Sequence, residues 1–72
     1  MRDIVIGNSV RVARVTADLT QKSLATAVGV TRQTIGLIEA HRYNPTIKLC
    51  LMIAEATGKT LDELFWIEGG RE

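Results

Sequence analysis

The sequence predicts a mainly α-helical domain of five helices, completed by a small antiparallel sheet whose two strands come from opposite ends of the chain. Apolar residues recur at helical spacing from Val10 to Leu64, and threonines and glycines stand where helices would begin and end. Short β-branched or aromatic runs lie at residues 4–6 and 65–67. With 72 residues, the chain is expected to form a single domain spanning residues 1–72.

The N-terminal part predicts a strand followed by a helix. We expect the strand at about residues 2–6, ended by Gly7, because the β-rich run is too short for a helix. Asn8 is a good N-cap for the first helix, which is expected to end near Asp18.

Residues 21–40 read QKSLATAVGVTRQTIGLIEA, and their spacing predicts a helix-turn-helix element. Ala25 suits a close helix crossing that leaves room for no more than a methyl group, and Gly29 suits a tight turn with positive φ. Thr20 and Thr31 are well placed to cap the two helices.

Residues 47–57 predict a fourth helix, with Thr46 as its N-cap and Gly58 at its end. Residues 49–54 of this helix are apolar on every side, which is more than one small core can bury from a single direction. The pattern therefore implies a second buried surface.

The C-terminal part predicts a short fifth helix and a second strand. Thr60 and Glu63 fit a capping box for a helix over residues 61–64. The strand is expected at about residues 65–68 and would be ended by Gly69 and Gly70. It could pair with the first strand.

Charge is distributed unevenly along the chain, although its net value is only +1. Residues 11–48 hold six basic and two acidic side chains, a net charge of +4, whereas residues 49–72 hold two basic and five acidic side chains, a net charge of −3. This asymmetry is expected if one end of the domain faces phosphates and the other does not.

The composition argues against an enzyme, a metal site, a cofactor or a membrane span. A lone histidine, His41, and a lone cysteine, Cys50, offer neither zinc ligands at short spacing nor an activated nucleophile. Cys50 is expected to be a small buried hydrophobe rather than a redox switch. The longest apolar run, residues 49–54, is too short to cross a bilayer and no signal peptide opens the chain, so a soluble cytoplasmic protein is expected.

Three segments carry a family resemblance: LTQKSLATAVGVTRQTIGLIEA, the loop HRYNPT, and LDELFW. Through them the chain resembles the Cro/CI-type (Xre-like) helix-turn-helix transcription regulators over nearly its whole length. The resemblance implies a lambda-repressor-like five-helix fold, in a compact form whose sheet comes from both termini. It also implies homodimers that bind palindromic operators in double-stranded DNA.

The resemblance further implies that the recognition helix, residues 32–40, enters the major groove by its first turn. Gln33 can pair with adenine, and Arg32 can grip guanine or a phosphate. Leu37 matches a position that is commonly polar in the family, so it either touches a thymine methyl or packs on the domain. The expected DNA contacts are Gln21, Thr31, Arg32, Gln33, Thr34, Leu37, Arg42 and Asn44.

Gln21, at a helix N-terminus, matches a phosphate contact of the family. Arg42 and Asn44 lie in the loop that touches the DNA backbone or an adjacent groove, and Asn44 is the better match of the two. Thr34 fits a phosphate contact or a β-branched filler equally well.

Other residues are expected to hold the fold or the dimer together. Arg14 and Glu39 match a buried or half-buried salt bridge between the first and third helices of the family. Leu49, Met52 and Trp66 are in surplus once a one-sided core is filled, so they are expected at a symmetric dimer contact. Trp66 could instead cap the core of the monomer.

Two functional hypotheses remain at this point. The first is a homodimeric transcription regulator, a repressor, that needs no cofactor. The second is an antitoxin or adaptor that holds a second protein with the apolar fourth helix and the terminal sheet. A long disordered extension that would wrap a toxin is not found in this sequence, which counts against the second hypothesis.

Overall fold

A computed structural model describes residues 3–71 as five helices and one antiparallel sheet of two strands. The elements are β1 (Asp3–Asn8), α1 (Val10–Thr16), α2 (Gln21–Val28), α3 (Arg32–Glu39), α4 (Ile47–Thr57), α5 (Leu61–Leu64) and β2 (Phe65–Arg71). The predicted fold, mainly helical with a sheet made from both ends of the chain, is confirmed.

The helices enclose one core, and α2 contacts both α3 and α4. The largest fully buried side chains come from α1 to α5 and are Val10, Leu24, Ile35, Ile38, Ile53 and Leu64. Ala25 is 2% exposed within this core, and Gly29 ends α2 with a φ of 76°. The small residue and the left-handed turn thus lie where the helix-turn-helix spacing predicts them.

Local hydrogen bonds set the helix starts. The hydroxyls of Thr20, Thr31 and Thr46 accept backbone N–H groups of α2, α3 and α4 at 3.0, 3.2 and 3.2 Å. At α5, the Glu63 carboxylate accepts the backbone N–H of Thr60 at 2.9 Å, and hydrogen bonds from Thr60 lower the pKa of Glu63. The caps predicted for these helices are confirmed.

The sheet is longer than predicted at both strands. Gly7 does not end β1, because it lies buried under the side chains of Trp66 and Glu68, where a Cβ atom would clash with both. The second strand continues through Gly69, which pairs with Val5 of β1. Glu68 has no opposite residue in the register, so a bulge lies there. The expected strand start at residue 2 lies outside the described residues.

Helix α1 is shorter than predicted, and Asn8 does not occupy its capping position. The helix begins at Val10, and Asn8 ends the preceding strand while its Oδ1 still accepts the Val10 N–H at 3.2 Å. At the other end, α1 stops at Thr16, and Asp18 turns the chain with a φ of 58°.

Helix α4 divides its apolar residues between the core and the surface. Leu49 is 8% exposed and belongs to the core, so it has little surface to offer a second chain, contrary to the expected dimer contact. Ile47 and Leu51 are 65% and 52% exposed instead.

None of the helices formed by residues 3–71 is long and apolar enough to cross a membrane.

Candidate nucleic-acid interface

One side of α3 forms an exposed face on the domain. Ile35 and Ile38 are fully buried and anchor the opposite side of the helix in the core. At about 100° per residue, five of the exposed and half-exposed positions fall within an arc of about 140°. We call this the reading face, and its residues are Arg32, Gln33, Gly36, Leu37 and Ala40.

The N-terminal end of the reading face carries its polar side chains. Arg32 and Gln33 are exposed in the first turn, and Thr31 caps the helix through the N–H of Thr34. The hydroxyls of Thr31 and Thr34 lie 3.0 Å apart, so they hydrogen-bond to each other at the helix start. Backbone N–H groups at such an end favour a negatively charged ligand.

Leu37 and the loop after α3 are also accessible. Leu37 is 38% exposed on the reading face, which is compatible with both of its predicted roles, contact with a thymine methyl group and packing on the domain. Arg42 and Asn44 are both exposed in the loop between α3 and α4.

Gln21 has partners within the domain that the sequence did not reveal. Its Nε2 donates to Glu39 Oε1 at 3.1 Å, and its Oε1 accepts from Arg32 Nη1 at 3.2 Å. Gln21 is half-buried, so its amide links the interior of the domain to the first turn of α3. Arg32 and Glu39 are 11 and 18 residues from Gln21 in the sequence. Helical periodicity does not predict contacts over such separations.

Arg14 and Glu39 form an ion pair between α1 and α3. The Arg14 Nε lies 2.7 Å from Glu39 Oε2, and the side chains are 12% and 6% exposed. Arg14 Nη1 also donates to the backbone oxygen of Leu19 at 2.8 Å. The pair neutralises the one acidic side chain of α3, which keeps negative charge away from the reading face.

Dimerisation residues expected from the sequence lie in three different environments. Leu49 is in the core, and Met52 is half-buried against it. Trp66 is 41% exposed, and its side chain lies across Gly7 while Nε1 donates to Glu68. Trp66 therefore neither fills the core nor stands free of the sheet.

The Cys50 thiol is buried in the structure. Burial raises the pKa of the Cys50 thiol, which lowers its reactivity as a nucleophile. Within residues 3–71, no three histidine, cysteine, aspartate or glutamate side chains are grouped as a metal ion requires.

Comparisons with known proteins agree with this geometry. A helix-turn-helix family profile matches residues 10–64. An uncharacterized HTH-type transcriptional regulator of Bacillus subtilis is 38% identical over 61 residues, covering 85% of this chain and 92% of that protein. Another from Methanocaldococcus jannaschii is 39% identical over 61 residues, with the same 85% and 92% coverage.

Two solved structures have a fold similar to that of this chain. The restriction-modification controller protein C.AhdI from Aeromonas hydrophila superposes with a TM-score of 0.70 at 28% identity, over 75% of this chain and 82% of that one. A hypothetical transcription factor, NHTF from Neisseria, superposes with a TM-score of 0.70 at 26% identity, over 75% of this chain and 61% of that one. The antitoxin or adaptor alternative gains no support from these relatives. The chain belongs to the Cro/CI-type (Xre-like) family of helix-turn-helix transcriptional regulators, which are DNA-binding proteins rather than enzymes.

Proposed function

We propose that this protein is a repressor that binds a palindromic operator as a homodimer and inserts the reading face of α3 into the major groove. The observation that carries the proposal is the composition of that face. Arg32 and Gln33, which have long polar side chains, lie at its N-terminal end. Gly36 and Ala40 are small, so the middle of the face can approach DNA closely.

Sequence would be read by three side chains of the reading face. Arg32 can hold the O6 and N7 atoms of a guanine, and Gln33 can hold the N6 and N7 atoms of an adenine. Leu37, one turn further along, offers an apolar surface to a thymine methyl group. Each good bidentate contact discriminates against a wrong base by about 1–3 kcal/mol.

Contacts to the DNA backbone would orient the reading face. Thr31 and Thr34 lie at the start of α3, and Arg42 and Asn44 follow its end, so the set flanks the base-reading residues on both sides. We assign these four residues to phosphate contacts, which fix the register of a protein on the duplex without reading its sequence.

A second apolar surface supports the homodimer. A groove of about 490 Å³ lies between α4, α5 and the sheet, lined chiefly by apolar side chains that include Ile4, Cys50 and Phe65. Ile47 lines its edge, and Leu51 lies one turn along the same helix; both are more than half exposed. In a two-fold contact the same surface would be buried on both chains. The exposed Ile47 and Leu51 of each protomer would then pack against the groove of its partner.

The dimer would set the distance between two reading faces. Half-sites one turn of DNA apart require two recognition helices about 34 Å apart. An operator occupied in this way within a promoter would exclude the polymerase. We place the protein in the cytoplasm, where a single free thiol is stable and chromosomal DNA is accessible.

Selection from random duplex DNA, followed by mobility-shift titration at several salt concentrations, tests this function. We expect an enriched palindrome, and a loss of about 1–3 kcal/mol in specific binding for Arg32→Ala and for Gln33→Ala. Lys59→Ala, which removes a basic side chain between α4 and α5, serves as the matched control and should bind normally. Weak binding to every duplex, abolished by modest salt, would instead indicate only a basic surface.

A further inference from the structure

We propose that Asn8 and His41 position the loop after α3 for its contact with DNA, through a hydrogen bond that exists only while His41 is neutral. The inference rests on the proposed function, because the pair acts through the phosphate contacts assigned to Arg42 and Asn44. Asn8 and His41 are positioning residues here, and neither needs to touch DNA.

The end of α3 gives His41 an unusual backbone conformation. Its φ is 61°, and its N–H donates to the backbone oxygen of Ile38 at 3.1 Å. The N–H of Arg42 donates to the backbone oxygen of Leu37 at 2.9 Å. Helices that end in this way usually have glycine at the left-handed position, because a side chain is disfavoured there. The histidine side chain is therefore expected to make a contact that glycine cannot.

The Asn8 amide has a single orientation, which dictates the protonation state of His41. Its Oδ1 accepts the N–H of Val10 at 3.2 Å, and its Nδ2 donates to the backbone oxygen of Ile38 at 3.0 Å. The same Nδ2 lies 3.3 Å from His41 Nδ1. Because an NH₂ group only donates, Nδ1 must accept, so the ring is neutral and carries its proton on Nε2.

The sheet makes Asn8 a fixed anchor for the loop. Asn8 pairs with Phe65 in the register of the two strands. Its amide thus holds His41, which Arg42 follows directly and Asn44 follows three residues later. A side chain that starts from a fixed backbone loses less freedom when it binds a phosphate, so this anchor favours binding.

Protonation of His41 would break this anchor. The Nδ1–H group of a charged ring would face the NH₂ group of Asn8, so two donors would meet. Arg42 is the next residue and is itself a cation, and the carboxylate of Glu39 in α3 is already paired with Arg14. Neither residue is therefore a partner for the charged ring.

The other side of His41 gives the charged ring different partners. His41 and Glu68 of β2 line one cavity of about 340 Å³, and the Glu68 carboxylate accepts the Nε1–H of Trp66. That carboxylate and the carbonyl groups at the C-terminal end of α3 can accept hydrogen bonds from a cation. The charged ring would turn from Asn8 toward Glu68 and release the loop.

The pH dependence of operator binding tests this positioning. His41 is the one histidine of the chain, and histidine changes its charge between about pH 5 and about pH 8. Wild type is titrated with the selected operator by fluorescence anisotropy at the two ends of this range, at constant ionic strength. We expect full affinity at the higher pH and a loss of about fivefold per protomer at the lower pH, the factor expected for one lost hydrogen bond.

Two substitutions of His41 separate the hydrogen bond from the backbone turn. His41→Asn keeps an acceptor, tolerates positive φ and cannot gain a proton, so it should bind equally at both pH values. His41→Gly keeps the turn but has no acceptor, so it should bind about fivefold more weakly than wild type at the higher pH. On heating, the glycine variant should unfold no earlier than wild type, which a purely structural role of His41 would not produce.

Asp18→Asn is the matched control. Asp18 is exposed and also has a positive φ, 58°, at the end of α1. The variant loses a titratable group but keeps His41, so its affinity should show the same pH dependence as wild type.

NMR of the free protein reports on the pair without DNA. At the higher pH, the ¹⁵N shifts of the His41 ring should place its proton on Nε2. The side-chain NH₂ resonances of Asn8 should shift as His41 gains its second proton.

An affinity that rises at the lower pH, with a steeper salt dependence, would mean that protonated His41 contacts a phosphate itself, and it would overturn the positioning role. The role would equally be overturned by pH-independent binding of wild type, by a pH dependence that survives in His41→Asn, or by a ring proton on Nδ1. In each case the selected palindrome and the proposed function stand. Wild type that selects no sequence at all would overturn the proposed function and the positioning role together.

Discussion

Arg14 is the residue whose loss should be most costly to the fold. Replacing it with alanine leaves the Glu39 carboxylate, 6% exposed, without its cation inside the domain. We expect Arg14→Ala to lower the free energy of unfolding by about 3–5 kcal/mol, measured by urea denaturation. Arg11→Ala, on an exposed position of the same helix, should change it by no more than about 0.5 kcal/mol. Equal effects of the two substitutions would mean that the ion pair adds nothing to stability.

Gly36 is a residue at which stability and DNA binding should oppose each other. A Cβ atom there would lie 3.9 Å from Gln21 Nε2, an ordinary contact, so alanine fits the free protein. Because glycine within a helix is less favourable than alanine, Gly36→Ala should raise the free energy of unfolding by about 1 kcal/mol. Operator affinity should fall nevertheless, because the added methyl group stands in the middle of the reading face.

The matched substitution for this test is Gly29→Ala, at a glycine with a φ of 76°. A side chain is strained in that backbone conformation, so this variant should be less stable than wild type. Both proteins are compared by thermal unfolding and by mobility shift. A Gly36→Ala protein that binds its operator as tightly as wild type would show that DNA does not approach α3 closely at this position.

Three elements meet at Asn8, the last residue of β1. Its Nδ2 donates to the backbone oxygen of Ile38 in α3 at 3.0 Å, and its Oδ1 accepts the N–H of Val10 in α1 at 3.2 Å. The same Nδ2 lies 3.3 Å from His41 Nδ1, just beyond the end of α3. One amide thus joins the sheet to the end of α3 and to the start of α1.

The substitution Asn8→Asp tests this junction, because it keeps the acceptor for Val10 and removes the donor to Ile38. It also places a negative charge at the C-terminal end of α3, where the helix dipole disfavours one. We expect the free energy of unfolding to fall by about 1–3 kcal/mol. Asn44→Asp, in the exposed loop after α3, is the control and should unfold as wild type does. An unchanged Asn8→Asp protein would show that the sheet does not anchor the helix.

At the scale of the whole molecule, the groove predicts where two protomers of the proposed dimer would meet. Leu51→Asp places a charge on the exposed side of α4, so the monomer should still fold while the dimer dissociates. Sedimentation equilibrium should show a monomer, and affinity for the full palindrome should fall toward that for a half-site. Val12→Asp, at a residue of α1 that is 68% exposed, is the control and should remain dimeric. A dimeric Leu51→Asp protein would exclude this surface as the interface.

The starts of α2, α3 and α4 and the end of α2 were predictable because their signals are local. Thr20, Thr31 and Thr46 act on N–H groups three residues away, and Gly29 ends α2 by its own backbone conformation. These interactions depend little on the rest of the chain, so spacing alone identifies them.

The parts that the sequence missed depend on contacts between distant residues. Gly7 continues β1 because Trp66, far along the chain, lies over it. Residues 49–54 are apolar all round, so periodicity could not tell that Leu49 faces the core while Leu51 faces outward. The same limit hid the partners of Gln21, which come together only once α2 has packed against α3.

The pairing of Asp3 with Arg71 has a consequence for protein engineering. Paired residues of an antiparallel sheet have Cα atoms about 5 Å apart, so segments attached at either end of the domain leave it side by side. A short peptide linker could therefore join the two ends, and new termini could be opened at the turn around Gly58. Such a circular permutant would keep every helix intact and turn the sheet into a closed hairpin.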